Sequence, residues 1–176
     1  MLDSKMTSKN SSIHLSKHVA VLRIAFGIMW GIDAAFKWQP AFKEGFLDQI
    51  KSAADGQPSW LHGWFNFWAH FLSHNPHLFA LLVTIIETLI ALVLVLGVAR
   101  RTAYLLAAIF SLMIWAIPEG FGGPYSATST DIGTGIIYAV VFLSLYGLDR
   151  LAARSAWSLD NFIVKRLPWW SVLSNP

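Results

Sequence analysis

Apolar positions in this chain fall into four long blocks separated by polar stretches. The clearest runs from Leu78 to Val98 and is broken only by Glu87 and two threonines. As a helix rising about 1.5 Å per residue it crosses the roughly 30 Å hydrocarbon core of a bilayer. Further blocks run from His18 to Trp38, Thr102 to Ile117 and Ile132 to Leu148. The third is short, about 24 Å as a helix, and needs a residue or two more at each end. Pro118 stops it. The fourth follows Ser129, Thr130 and Asp131, residue types that cap helices. The pattern predicts an all-α integral membrane four-helix bundle with spans near residues 18–38, 78–98, 102–117 and 132–148.

Between the first two spans lies an external segment, residues 39–77, with its own periodicity. Phe42, Phe46 and Ile50 recur at helical spacing opposite Glu44, Asp48 and Lys51. Trp60, Trp64, Phe67, Trp68 and Phe71 share one face, with His62, Asn66, His70 and Ser73 on the other. Two amphipathic helices at the membrane surface are expected. They form either an aromatic belt packed on the bundle or a cap over an intramembrane pocket. Residues 1–17 are polar, rich in Ser and Lys, and lack the early apolar region of a signal peptide. They read as a disordered leader, and residues 149–176 as a tail.

Composition supports a membrane protein and changes little else: 55% of residues are hydrophobic and 13% charged, against about a quarter charged in soluble domains. There is no cysteine, which excludes disulfides, thiolate metal sites and thiol redox chemistry for the chain alone. The net charge of +3 is topology information. Nine Lys and Arg lie on the side of the termini and the turn at Arg100 and Arg101, and three, Lys37, Lys43 and Lys51, on the other. This asymmetry places both termini in the cytoplasm of a multi-pass cell-membrane protein, with the bilayer as its partner and no nucleic acid.

Ionisable residues within spans are the candidate chemistry, because they are costly in lipid. Arg23 and Glu87, on antiparallel spans, are expected at depths differing by about 6 to 8 Å and are expected to pair. The pair reads either as a structural clasp or as a proton-handling, ligand-polarising pair. Trp30, Asp33 and Lys37 follow Arg23 along one arc, with Asp33 and Lys37 able to pair at a spacing of four. Gly27 and Gly31 allow a close helix approach, and Gly27 is expected at a pocket between the first two spans. Glu119, Tyr125 and Asp131, in and after the glycine- and proline-rich loop 118–125, join Trp115 in an expected outer mouth of carboxylates and aromatics, or else serve only as turn residues. The six histidines show no tight metal spacing, and no metal ligand set is assigned. Four of them face outward, which keeps a weak metal or haem contact open.

The order of Arg23, Gly27 and Gly31, then Lys37 and Pro40, then Glu87, then Leu96, Gly97, Arg100 and Arg101 resembles the DoxX/DoxD group of small four-helix membrane proteins, over roughly His18 to Leu148. In that group DoxD is the membrane subunit of a thiosulfate:quinone oxidoreductase whose partner is DoxA, while many DoxX relatives have no settled activity. The resemblance implies electron transfer from a small external reductant such as thiosulfate into the quinone pool. Quinone would be the cofactor, a DoxA-like subunit the partner, Arg23 and Glu87 the quinone-orienting or proton-handling residues, and Lys37 the attractor of an anionic substrate. The chain has no Rossmann glycine pattern and no clear haem motif, so a partner must supply the missing electron carrier. The competing expectation is a non-enzymatic membrane anchor, assembly factor or small-solute conduit whose buried charges hold the bundle.

Overall fold

A computed structural model describes residues 2–127, 129–152 and 156–174, with side chains from Ile13 onward. Among the described residues there are α-helices and short 3-10 turns but no strand. The first helix, α1, is Leu2–Lys37. It takes in the polar segment read as a disordered leader, where no glycine or proline interrupts the helix. Helices α2, Pro40–Ser52, and α3, His62–Ser73, make up the segment between the first two spans. Helices α4, Pro76–Leu96, α5, Arg100–Ala116, and α6, Thr134–Leu151, complete the bundle, and a short α7, Asp160–Arg166, lies in the tail. Arg154, counted with the tail charges, lies outside the described residues.

The helix ends follow from local chemistry. Pro76 fits the first turn of α4, where its missing N–H costs nothing, and Asn75 Oδ1 accepts from Leu78 N at 3.2 Å. Gly97, at φ 66°, closes the helix in a left-handed conformation. The start of α6 is different from the expected cap at residues 129–131. Asp131 Oδ1 accepts from Gly133 N in a local turn, while Glu119, at the far end of α5, accepts from Gly135 N at 2.9 Å and from the Thr134 hydroxyl. The α6 terminus is therefore capped across the loop.

Three helices are long and apolar enough to cross a bilayer: Ile13–Lys37, Pro76–Leu96 and Thr134–Leu151. The fourth, α5, has 17 residues and opens on Arg100 and Arg101. Ile28, Ile32, Leu89, Leu92, Ile109, Val140 and Leu143 are all more than half exposed. Such a continuous apolar surface is unsuited to water and natural in lipid. This is an all-α membrane protein.

With no hydrophobic drive between helices in lipid, association rests on close packing. A Cβ on Gly27 would fall 2.8 Å from Leu94 Cβ and 3.0 Å from Val95 N, so the α1 and α4 backbones nearly touch there. A Cβ on Gly135 would fall 2.6 Å from Ser111 O, so α6 lies equally close on α5. Two tight pairs result, α1 with α4 and α5 with α6. They are joined by an aromatic cluster in which Phe26 and Trp30 lie 5.0 and 5.5 Å from Phe142 by ring centroid. Contacts of this kind contribute about 0.5–1.5 kcal/mol each beyond area burial.

The α2 periodicity holds: Phe46 and Ile50 are buried, with Phe42 packed beside them. The α3 face is rotated from the one expected. Phe65 and Leu72 are buried and Trp68 and Ala69 half-buried, while Trp64, Phe67 and Phe71 are exposed. An aromatic stripe at a membrane surface does not itself show which side meets protein, because aromatic rings also favour the lipid interface.

Candidate functional site

The α1–α4 register determines which charges meet. Gly27 lies against Leu94 and Val95, Gly31 against Ala91, and the Lys37 carbonyl accepts from Thr84 Oγ1 at 3.3 Å. One turn away, Trp38 Nε1 donates to Thr88 Oγ1 at 3.1 Å. This brings Lys37, not Arg23, to Glu87. Lys37 Nζ donates to Glu87 Oε1 at 2.7 Å and to Asp33 Oδ2 at 2.9 Å. Glu87 is fully buried, whereas the Asp33 side chain is about half open. One cation thus sits between an interior and an outward carboxylate.

The expected Arg23–Glu87 pair does not form. Arg23 lies beside Gly97, about ten residues further along α4, or about 15 Å of helix rise. Its guanidinium donates to the Leu94 carbonyl, to Val95 O at 3.2 Å and to Trp157 O at 2.7 Å. Those first two carbonyls end α4 and have no partner within the helix, so Arg23 satisfies them and opposes the negative end of the helix dipole. A Cβ at Gly97 would fall 2.6 Å from Arg23 Nη1. Depth counted from span ends misjudged the pairing because helix register is set by the glycine contacts.

Above the aromatic cluster the two helix pairs diverge around a cavity of about 830 Å³. Helix α1 contributes Trp30, Asp33 and Lys37, α4 contributes Glu87, and α5 and α6 contribute Phe110 and Tyr138. Phe46 and Ile50 of α2 and Trp68 and Leu72 of α3 cover it, so these helices cap a pocket as well as packing on the bundle. Most of the lining is apolar. Trp30 Nε1, Trp68 Nε1 and Glu87 Oε2 are buried without a hydrogen-bond partner, and all three residues line the cavity. A buried polar atom left unpaired costs about 1–3 kcal/mol, and all three here belong to residues lining one cavity, where a polar group of a ligand can pair with them.

The remaining expected residues divide. Glu119 lines the cavity, but its oxygens are engaged in capping α6. Trp115 Nε1 donates to Ile132 O at 2.8 Å and Tyr125 Oη to Phe121 O at 2.6 Å, so both stabilise the loop, as Asp131 does, and none of the three lines the cavity. Gly27 is not at the cavity either. Trp68, Phe110 and Tyr138 are lining residues that the sequence reading missed. Trp68 could have been found from the period it shares with Leu72, whereas Phe110 and Tyr138 lie in uncharged spans with no signal of their own.

At the end of α3 the His70 ring meets that of His74, just beyond the helix, edge-on at 5.0 Å, and His62 Nε2 bonds Gln57 O at 3.0 Å. No group of three metal-ligating side chains is present among the described residues.

At the opposite end, Asp160 is buried beneath the α4–α5 turn. It accepts from Ala99 N at 2.8 Å, Arg100 N at 3.3 Å, Arg100 Nε at 3.0 Å and Trp170 Nε1 at 2.7 Å. Arg100 also pairs with Asp149 of α6. The tail is thereby tied to the α4–α5 turn and α5, and through Arg100 to α6, an arrangement that capping and charge patterns had not suggested.

The chemistry open to the cavity is recognition of an apolar body by two indole N–H donors, a lysine ammonium and a carboxyl oxygen. The family model that matches the sequence is DoxX, over residues 18–119, which includes Asp33, Lys37, Trp68 and Glu87. No curated protein and no solved structure matches the chain.

Proposed function

The chain belongs to the DoxX family, and from that premise we propose that it is the membrane subunit of a quinone-linked oxidoreductase of the DoxX/DoxD type. The observation that carries this reading is the mostly apolar cavity whose lining combines Lys37 with three residues bearing unpaired polar atoms. A quinone ring presents two carbonyl acceptors on an apolar plane. Trp30 Nε1, Trp68 Nε1 and Lys37 Nζ are donors of the kind it needs, and the largely hydrophobic walls suit the ring. The residues present fit the group. When bound, a quinone supplies two-electron, two-proton redox chemistry.

In this reading Lys37 and the indoles orient the ring, and Glu87 Oε2 exchanges a proton at the ring oxygen. Lys37 links Glu87 to Asp33, which reaches the surroundings. Covered by α2 and α3, the site keeps bulk water from the ring. Electrons come from a small external reductant such as thiosulfate through a DoxA-like partner, since the chain has no cysteine. Arg23 takes no part in this site. The Lys and Arg asymmetry supports four spans with both termini in the cytoplasm. A reporter fused to the carboxyl end should then be active only as a cytoplasmic reporter, and one inserted near Gly56 only as an external one.

Thermal-shift titration with a short-chain quinone tests the ligand. Wild-type protein should show saturable stabilisation, because a ligand that binds only the folded state raises its stability. Ile114→Trp, which fills the cavity from α5, should abolish the response while the protein still inserts. No saturable response from wild type, alone or with a reconstituted partner, would replace this reading with a non-enzymatic anchor, assembly factor or conduit.

A further inference from the structure

The cavity opens on more than one side, and the sides differ in chemistry. The lining residues that are also exposed mark where it opens. On the cap these are Gln49 of α2 and Phe71 of α3, and towards the α1–α6 gap they are Phe36 on α1 and Thr134 on α6, with the half-open Asp33 and Tyr138 beside them. Towards the α4–α5 gap they are Leu82 and Ile86, one turn apart on α4, and Met113 on α5, at 43%, 38% and 44% exposure. The helix faces agree with this assignment. On α4, Thr84 and Ala91 meet α1, which turns Leu82 and Ile86 away from it. On α5, Ser111 meets Gly135 of α6, which turns Met113 to the other side.

The three lining residues that mark the α4–α5 opening are apolar, as are the exposed Leu89 and Ile109 on the same two helices. In a membrane protein such an opening faces hydrocarbon. The unpaired polar atoms and the lysine, by contrast, lie elsewhere: Lys37 and Trp30 on α1, Glu87 on the α4 face that meets Lys37, and Trp68 on the α3 cap. A molecule that satisfies those atoms and also runs out between α4 and α5 must have a polar head and a long apolar chain.

We propose that the gap between α4 and α5 is a lateral portal, through which a long-chain, lipid-soluble ligand reaches the cavity from the bilayer and in which its chain remains. The proposal rests on the quinone reading for the identity of the head. It adds the route of access, the need for a chain, and the residues that control both: Leu82, Ile86 and Met113. The chain gains little by leaving lipid for protein, since both are apolar. The advantage of the portal is that the ligand arrives at its high concentration in the bilayer and need not pass through water.

The test uses the full chain in lipid nanodiscs and two probes, a benzoquinone headgroup without a chain and the same headgroup with an isoprenoid chain, dosed per lipid. Narrowing the portal with Ile86→Trp and Met113→Trp together should weaken long-chain binding about tenfold and leave headgroup binding within about twofold. Retained headgroup binding also shows that the doubly substituted protein is folded. Phe36→Trp, at the α1–α6 opening, should leave long-chain binding within about twofold. Long-chain binding that ignores the α4–α5 substitutions, or falls equally with Phe36→Trp, overturns the portal while the quinone reading stands. If neither probe binds wild-type protein, the quinone reading falls and the portal with it.

Discussion

The two ends of the bundle handle buried charge in opposite ways. At the tail end, Asp160 uses both carboxylate oxygens on two backbone N–H groups, Arg100 and Trp170. At the capped end, Glu87 uses one oxygen on Lys37 and leaves the other unpaired beside a cavity. A buried carboxylate whose partners are all supplied by its own chain is a clasp. One with an unpaired oxygen, on a residue that lines a cavity, has capacity for a partner from outside the chain. Unpaired atoms alone do not make this distinction, because Arg23 Nε and Tyr104 Oη are also buried without partners away from that cavity. What sets the capped end apart is that its unpaired atoms all belong to residues lining one cavity.

The comparison is broken most directly at Asp160. Asp160→Ala leaves Arg100 with Asp149, removes the caps from the Ala99 and Arg100 N–H groups and takes the acceptor from the buried Trp170 indole, and should destabilise the protein by about 3–5 kcal/mol in reversible unfolding from detergent micelles. Pairing it with Arg100→Leu should not recover the loss, because the buried Asp149 then loses Arg100 in turn. Recovery in the double variant would mean that the cost lies in the buried Arg100 charge and not in the lost caps.

Gly27→Leu comes next. Its side chain would meet Leu94 and Val95 where the backbones touch, at a cost of about 1–3 kcal/mol. Because Gly27 is outside the cavity, quinone binding by the folded fraction should not change; selective loss of binding would put the pocket in the wrong place.

Glu87→Gln should cost less, about 1–2 kcal/mol, because Lys37 keeps Asp33 as a partner. It should nevertheless abolish the ligand-induced thermal shift. A loss as large as that of Asp160→Ala would make Glu87 a clasp and remove the contrast between the ends. In the same measurements, Arg23→Leu combined with Glu87→Gln should be additive within about 0.3–0.5 kcal/mol, as for separated sites. Strong coupling would restore the pair that the helix register excludes.

The smallest expected effect is that of Trp68→Phe. It removes an unpaired indole N–H and keeps the ring packing, so stability should change by less than about 0.5 kcal/mol. Quinone affinity should fall several-fold in the titration. An unchanged affinity would show that this donor does not face the ligand.

Much of the fold was legible in the chain itself. Span length, the stop at Pro118, the α2 face and the close approach at Gly27 all depend on properties local to one helix, such as apolar length, missing N–H groups and the absence of a Cβ. The Asp33–Lys37 pair was visible for the same reason, since a spacing of four brings side chains together on any helix. The partner of Glu87 was not local. It depends on how far α1 slides along α4, which the contacts of Gly27 and Gly31 decide, and a shift of a few residues exchanges one cation for another. Asp149, Asp160 and Trp170 were missed because a tail that folds back under a bundle leaves no periodic trace. The cavity and its lipid-facing opening exist only where two tight helix pairs diverge, so packing between distant segments, and not the pattern within any one of them, determined the candidate site.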